Sequence, residues 1–240
     1  MKIGFIGHGN MAKAIIKGLG EHEIKYSDGE CNQAVVDFAD IIFLTIKPQD
    51  HEKVLSQLSF SKDKIVVTVA PALTIEKVEK WTGAKVIRTM PNTPALIGQG
   101  VTAVCRNKNM TDKDFESVKS ILQTFSSVFE LDENHMDVAI ALSGSSPVLA
   151  YILIEKMSKF AQENGIDFDT AKRMTAQTII GACDMILQSD ESTETLTQRV
   201  CSKGGTTEKM VESLKQNNFA ETIAKSMTAC AKRAKEMKFD

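Results

Sequence analysis

Two glycine-bearing segments hold the residue types from which ligand chemistry can be built. Gly7-His8-Gly9-Asn10-Met11-Ala12 has the G-x-G-x-x-A spacing, follows an apolar run and opens a helical pattern. In that setting Gly7 permits a sharp turn, Gly9 bares the backbone where a pyrophosphate would approach, and Ala12 lets helix and strand pack closely. The N–H groups and positive dipole of the helix start then hold phosphates. With a strand before it and a helix after it, the spacing predicts dinucleotide binding; the alternative is a tight turn that binds nothing. Gly204-Gly205-Thr206-Thr207 precedes another helical pattern. A glycine-rich helix start presents backbone N–H groups to an anion. Thr206 or Thr207 could equally be no more than an N-cap.

Smaller signals flank these two. Lys47-Pro48 follow a continuous apolar strand, at the edge where ligands meet open α/β sheets. Pro48 cannot continue a ladder and turns the chain outward, and a solvated surface lysine is the alternative for Lys47. Pro91 and Pro94 bracket Asn92 and stiffen its loop, which could also be only a rigid turn. Asp28 lies roughly 20 residues beyond the glycine turn, where an acid can accept from a ribose 2′-hydroxyl and favour NAD. It could instead be a turn residue beside Gly29.

The elements that must position these residues change character midway. Up to about residue 132, short apolar runs alternate with helical patterns. Strands are expected at Lys2 to Ile6, Ile24 to Tyr26, Ile41 to Ile46, Ile65 to Val69, Lys85 to Thr89, Val101 to Cys105 and Val128 to Leu131. Continuous Val/Ile runs belong to strands covered on both faces, hence to a doubly wound, mostly parallel sheet of Rossmann type. After Glu133 the strand signal stops, and apolar residues recur at helical spacing through Met136 to Leu142, Val148 to Gln162, Asp169 to Gln188, Glu194 to Cys201, Thr206 to Gln216 and Asn218 to Met237. The expected organisation is α/β over 1–132 followed by an all-helical domain over 133–240. These helices are Met- and Ala-rich and apolar over wide faces, so a second subunit is expected to cover part of them.

Composition excludes several classes. The chain has 240 residues, 42% hydrophobic and 25% charged, with a formal net charge of -2. No bulk field recruits nucleic acid or an anionic membrane. Cys31, Cys105, Cys183, Cys201 and Cys230 form no C-x-x-C pair and read as free thiols in a reducing cytoplasm rather than metal ligands or disulfides. The histidines show no ligand spacing. No export signal is expected at the start, and no apolar run approaches the roughly 20 residues of a membrane span.

Five motifs together resemble the pyrroline-5-carboxylate reductases: Ile6 to Ala12, Ile46-Lys47-Pro48, Arg88-Thr89-Met90-Pro91-Asn92-Thr93-Pro94, Ser143-Gly144-Ser145-Ser146-Pro147, and Ser202-Lys203-Gly204-Gly205-Thr206-Thr207. The resemblance covers nearly the whole chain. Met-Pro-Asn-Thr-Pro and Gly-Gly-Thr-Thr are specific to this group, whereas the glycine turn alone is not. The resemblance implies reduction of the cyclic imine pyrroline-5-carboxylate to proline with NADPH or NADH. It implies a Rossmann domain paired with a helical domain that dimerises, often within larger rings. Gly7, His8, Gly9, Asn10, Met11, Ala12, Lys47, Pro48 and Ala70 would then line the cofactor, with Asn92 near its nicotinamide half. Ser202, Gly204, Gly205 and Thr206 would bind the substrate carboxylate, and the Thr207 hydroxyl would stand close to the imine nitrogen. Ser143 to Pro147 would bend a long helix at a subunit contact.

The chain departs from the family pattern at Lys203 and Pro71, where Pro and Gly are usual, at Ser146 and Leu149, and at Ser192-Thr193. It is also shortened before Ala39, so cofactor preference does not carry over. Three other readings remain. A β-hydroxyacid dehydrogenase has a similar plan, but no K-x-x-x-N follows Glu133. A reductase of another imine acid, or a nucleotide-binding homologue without catalysis, would share most of these motifs.

Overall fold

The computed structural model describes residues 1–71 and 73–237, with the side chains of Asn10 and Ala14 outside that description. The end of the expected second domain, 238–240, lies outside it too. The chain forms two compact units, one from Met1 to Pro147 joined by the chain from Thr228, the other from Val148 to Met227.

The first unit runs β1 (Lys2–Ile6), α1 (Asn10–Gly18), β2 (Glu23–Ser27), α2 (Asn32–Phe38), β3 (Ile41–Leu44), α3 (His51–Leu55), β4 (Ile65–Thr68), α4 (Ile75–Thr82), β5 (Lys85–Pro91), β6 (Gly100–Arg106), α5 (Asp112–Leu122), β7 (Ser126–Glu130) and α6 (Met136–Ala139). One sheet holds all seven strands in the order β2-β1-β3-β4-β5-β6-β7. The strands from β2 to β5 are parallel, as the apolar runs of β3 and β4, buried at every position, require. β6 is antiparallel to β5, and β7 is parallel to β6. The reversal follows from the connection. β5 and β6 are joined by a 3₁₀ turn, Thr93–Ile97, with Pro94 near its start and Gly98 at φ +74° closing it. A parallel return needs a crossover of about a dozen residues or more, so so short a link must double back.

The two sheet faces bury separate cores. One gathers Phe5, Phe43, Ile15, Phe115 and Val118 beneath α1 and α5, with the Phe5 and Phe43 rings stacked at 5.1 Å. The other gathers Ile6, Val35, Leu44, Val66 and Val78 beneath α2 and α4. Period-two alternation divides each strand between them. The second core also takes Met136 and Ala139, so the packing of this unit continues beyond residue 132, where the strand pattern stops.

The second unit is helical: α7 (Pro147–Glu163), α8 (Phe168–Leu187), α9 (Thr193–Val200), α10 (Thr206–Gln216) and the first part of α11 (Phe219–Glu236). Asp167 and Ser192 cap α8 and α9 by accepting from Thr170 N and Thr195 N. Tyr151, Phe160, Met174, Leu187 and Met210 are exposed.

The helical stretch Glu133–Glu163 has a mean hydropathy of 1.6 over its most apolar 18 residues, long and apolar enough to cross a membrane by length and composition alone. Ser143 to Ser146 hide this in the sequence, because they break the apolar run. In the structure a π turn, Ile140–Gly144, follows α6 directly and leads towards Pro147. Ser143 and Ser146 return their hydroxyls to Ala139 O and Ala141 O, so their polarity is satisfied inside the helix.

Candidate functional site

Strand order 2-1-3 changes the direction of winding between β1 and β3, and ligands of open α/β sheets sit at the carboxyl ends flanking such a point. Gly7 ends β1 there with φ +97°, a region that favours glycine. A Cβ on Gly7 would meet the Thr45 carbonyl carbon and oxygen at 2.8 Å, so the turn has no room for a side chain. Thr45, just past β3, donates its hydroxyl to Gly7 O at 2.8 Å and its N–H to Ile6 O at 2.9 Å. On the other side Gly7 N donates to Ser27 O at 2.7 Å. The turn is thus fixed from both neighbouring strands.

Gly9 is the N-cap of α1, which has no side-chain cap and no acid in its first turn. A Cβ on Gly9 would find nothing within 4 Å. Uncapped N–H groups, a bare approach and the helix dipole together suit a pyrophosphate, so these residues fit a dinucleotide. Ala12 is fully buried in the first core, and Met11 packs against it. His8 stacks on Tyr26 with ring centroids 3.9 Å apart. The side chain of Asn10 lies outside the described residues.

The other strand ends line up beside this turn. Lys47 is exposed, and Pro48 opens a 3₁₀ turn into α3. His51, unassigned by its sequence context, anchors that turn: its Nδ1 lies 3.0 Å from Lys47 O and 3.1 Å from Pro48 O. Both partners only accept, so Nδ1 carries the proton. His51 Nε2 is buried without a partner among the described residues, and burial lowers the imidazole pKa below its ordinary value. Ala70 is buried after β4, its N–H held by Thr68 Oγ1. The adjoining Pro71 O accepts from Arg88 at 2.6 Å. Arg88 is itself buried and pairs with Glu133 at 3.2 Å, while Glu133 also accepts from Ile75 N at the start of α4. Arg88 therefore ties the Ala70–Pro71 loop to the segment beyond β7. The sequence held Arg88 in a motif but offered no partner, since Glu133 is distant along the chain.

Asn92 follows β5 and is buried. Its Oδ1 accepts from Val101 N at 2.9 Å, and its Nδ2 donates to Ser143 O at 3.1 Å. Its amide thus braces the β5–β6 turn and ties it to the π turn. One amide hydrogen remains for any ligand contact.

The second glycine segment belongs to the other compact unit. Gly204 adopts φ +76°, and Gly205 is the N-cap of α10 without a side-chain cap. Gly204 N donates to Glu208 Oε2 at 2.7 Å, and Gly205 N donates to Ser202 O at 2.9 Å. Neither glycine N–H is therefore spare. The donors left for an anion are those of the first turn of α10, beginning at Thr206 and Thr207. Ser202, Lys203 and Thr206 are exposed and Thr207 is half-buried.

Two protein-family models match the chain: pyrroline-5-carboxylate reductase dimerisation over residues 133–237, and NADP oxidoreductase coenzyme F420-dependent over residues 25–72. Pyrroline-5-carboxylate reductase 2 of Bacillus subtilis (strain 168) is 37% identical, covering 99% of this chain and 95% of that protein. That comparison runs over 264 positions against 240 residues here, so the relative carries residues without a counterpart. Pyrroline-5-carboxylate reductase of Escherichia coli (strain K12) is 34% identical, with 98% of each chain covered. Among solved structures, 1-pyrroline-5-carboxylate reductase of Streptococcus pyogenes superposes with a TM-score of 0.91 at 29% identity, over 99% of both chains. Pyrroline carboxylate reductase of Plasmodium falciparum with NADP bound gives 0.88 at 28% identity, over 100% of this chain and 98% of that one.

Proposed function

This chain belongs to the pyrroline-5-carboxylate reductase family, and on that premise we propose that it reduces 1-pyrroline-5-carboxylate to L-proline with NADPH or NADH. The observation that carries the proposal is the uncapped start of α1 at the winding change, with open space over Gly9. Gly7, Gly9, Asn10, Met11 and Ala12 form the phosphate turn in this reading, His8 flanks it, and Lys47, Pro48, Ala70 and Asn92 line the ends of the next strands. When bound, the cofactor supplies a hydride.

The chain's own residues supply position. The α10 first turn, with Ser202, Gly204, Gly205 and Thr206 around it, holds the substrate carboxylate through backbone N–H groups and the helix dipole. The Thr207 hydroxyl bonds to the ring nitrogen. The imine would enter protonated or take its proton from solvent; a hydride supplied by the bound cofactor would add to the carbon of the C=N bond, and the nitrogen would keep its proton as the amine of proline. No His, Lys or carboxylate in the matching motifs is assigned as proton donor.

We also propose the division into a dinucleotide-binding domain over 1–132 and a substrate and dimerisation domain over 133–240. A second copy would cover exposed side chains such as Tyr151, Phe160 and Leu187. The match to a dimerisation family supports this. A cytoplasmic location suits free thiols. The test pairs turnover with binding: oxidation of NADH and of NADPH is followed with pyrroline-5-carboxylate, proline is identified as product, and each cofactor is titrated separately. Binding without proline formation overturns the reductase reading and leaves a nucleotide-binding homologue.

A further inference from the structure

We infer that this chain takes NADH in preference to NADPH and that Asp28 sets the choice, an inference that rests on the reductase reading above. Ile6 of β1 pairs with Ser27 of β2, and the Gly7 N–H donates to Ser27 O at 2.7 Å. Asp28 is therefore the first residue beyond β2 and lies directly beside the phosphate turn. In dinucleotide folds this place faces the adenosine ribose.

The local structure fixes that corner. The Ser27 hydroxyl accepts from the Gly29 and Cys31 N–H groups at 3.3 Å each, which curls the backbone around a buried serine and leaves Asp28 exposed. The Asp28 carboxylate has no protein partner among the described residues. A ribose 2′-hydroxyl would donate to it in a charge-assisted bond. A 2′-phosphate, with about −1.5 to −2 charge and no donor when fully ionised, would meet repulsion instead.

The surroundings add to the same bias. From Tyr26 to Ile46 the chain carries Asp28, Glu30, Asp37 and Asp40 and neither lysine nor arginine. Lys25, the nearest preceding cation in sequence, sends Nζ to Ala34 O at 3.2 Å and lies 5.8 Å from the centre of the Phe38 ring, both on the α2 side. β2 is the edge of the sheet, so no outer strand brings a cation from beyond it. Among the described residues of this corner no lysine or arginine stands where an arginine usually accommodates a 2′-phosphate, and the one basic ring there, His8, is stacked on Tyr26.

The test is equilibrium binding to the full chain at pH 8, by cofactor fluorescence and calorimetry, with NADH, NADPH, 5′-AMP and 2′-AMP. We expect NADH to bind about tenfold more tightly or better. We also expect 5′-AMP to compete while 2′-AMP does not. Asp28→Ser should narrow the NADH-to-NADPH ratio by about tenfold, weakening NADH and strengthening NADPH. Asp28→Asn, which keeps an acceptor but removes the charge, should mainly strengthen NADPH. NADPH binding as tightly as NADH, or an Asp28→Ser ratio equal to that of the parent, overturns the inference. Proline formation with a clear NADPH preference defeats this inference alone. Failure of both cofactors to bind defeats it together with the reductase reading.

Discussion

The Gly204 N–H donates to the Glu208 carboxylate at 2.7 Å, so the turn before α10 already holds an anion from its own chain. That contact caps the helix with its own acid, and it places a negative charge where the substrate acid is proposed to bind. Glu208→Gln keeps an acceptor for Gly204 and removes the charge. The KM for pyrroline-5-carboxylate should fall about three- to tenfold with kcat nearly unchanged, the size of one partly screened like-charge contact. A KM that rises would mean that the charge orients the turn rather than competing for it.

Thr207 is assigned a bond to the reacting nitrogen and none to the cofactor. Thr207→Ala should lower kcat by about 10²-fold. The dissociation constants of both cofactors should stay within about twofold. Thr207→Ser should recover most of the rate. Full turnover by the alanine variant removes the hydroxyl from the reaction.

Gly7 and Gly9 make a contrasting pair. Gly7 has φ +97° and a Cβ there would overlap the Thr45 backbone, so Gly7→Ala should destabilise the fold by about 2–4 kcal/mol. Gly9 has an ordinary φ of -79° and open space around it. Gly9→Ala should therefore leave the urea midpoint of the free protein almost unmoved while weakening dinucleotide binding by about tenfold or more. Equal loss of stability in both variants would contradict this division between structure and binding.

His51 gives the fold a pH dependence with a fixed sign. Its folded pKa is lowered, chiefly by burial, so at mildly acidic pH the unfolded chain binds a proton that the folded chain refuses. Stability should therefore be greatest above the ordinary histidine value of 6.5 and fall as pH drops below it. His51→Asn keeps an N–H for the Lys47 and Pro48 carbonyls and cannot titrate. Its urea midpoint should fall less between about pH 6.5 and 5 than that of the parent. Parallel curves would show that His51 does not carry the effect.

Much of the fold was legible because its signals are local. The βα alternation, the apolar runs of β3 and β4, and the limits of α4 and α10 follow from period and capping alone. What escaped depends on partners distant in sequence. The bracketing prolines marked Asn92 as held in place, but its amide is divided between Val101 and Ser143, the latter reached only after the sheet is complete. The direction of β6 was likewise silent, since a strand pattern carries no sign and only the brief Thr93–Ile97 link dictates reversal. The π turn hid within an ordinary helical period, and its serines made a long apolar helix look broken. The capture of Gly204 by Glu208 lies four residues away and was in principle readable, but a glycine pair before a helix draws attention to ligands rather than to the helix's own acid.

The reversal at β6 has a geometric consequence for whatever lies along the sheet edge. Only β2, β1, β3, β4 and β5 present carboxyl ends on that side, abreast and about 4.8 Å apart, a trough roughly 20 Å long. Asn92, braced by its bonds to Val101 and Ser143, follows the last of these strands, and the sheet margin at β2 lies at the other end of the row. An elongated guest laid across that row would take its alignment from the braced end, and changes beyond the β2 margin would leave the position of its inner tip untouched.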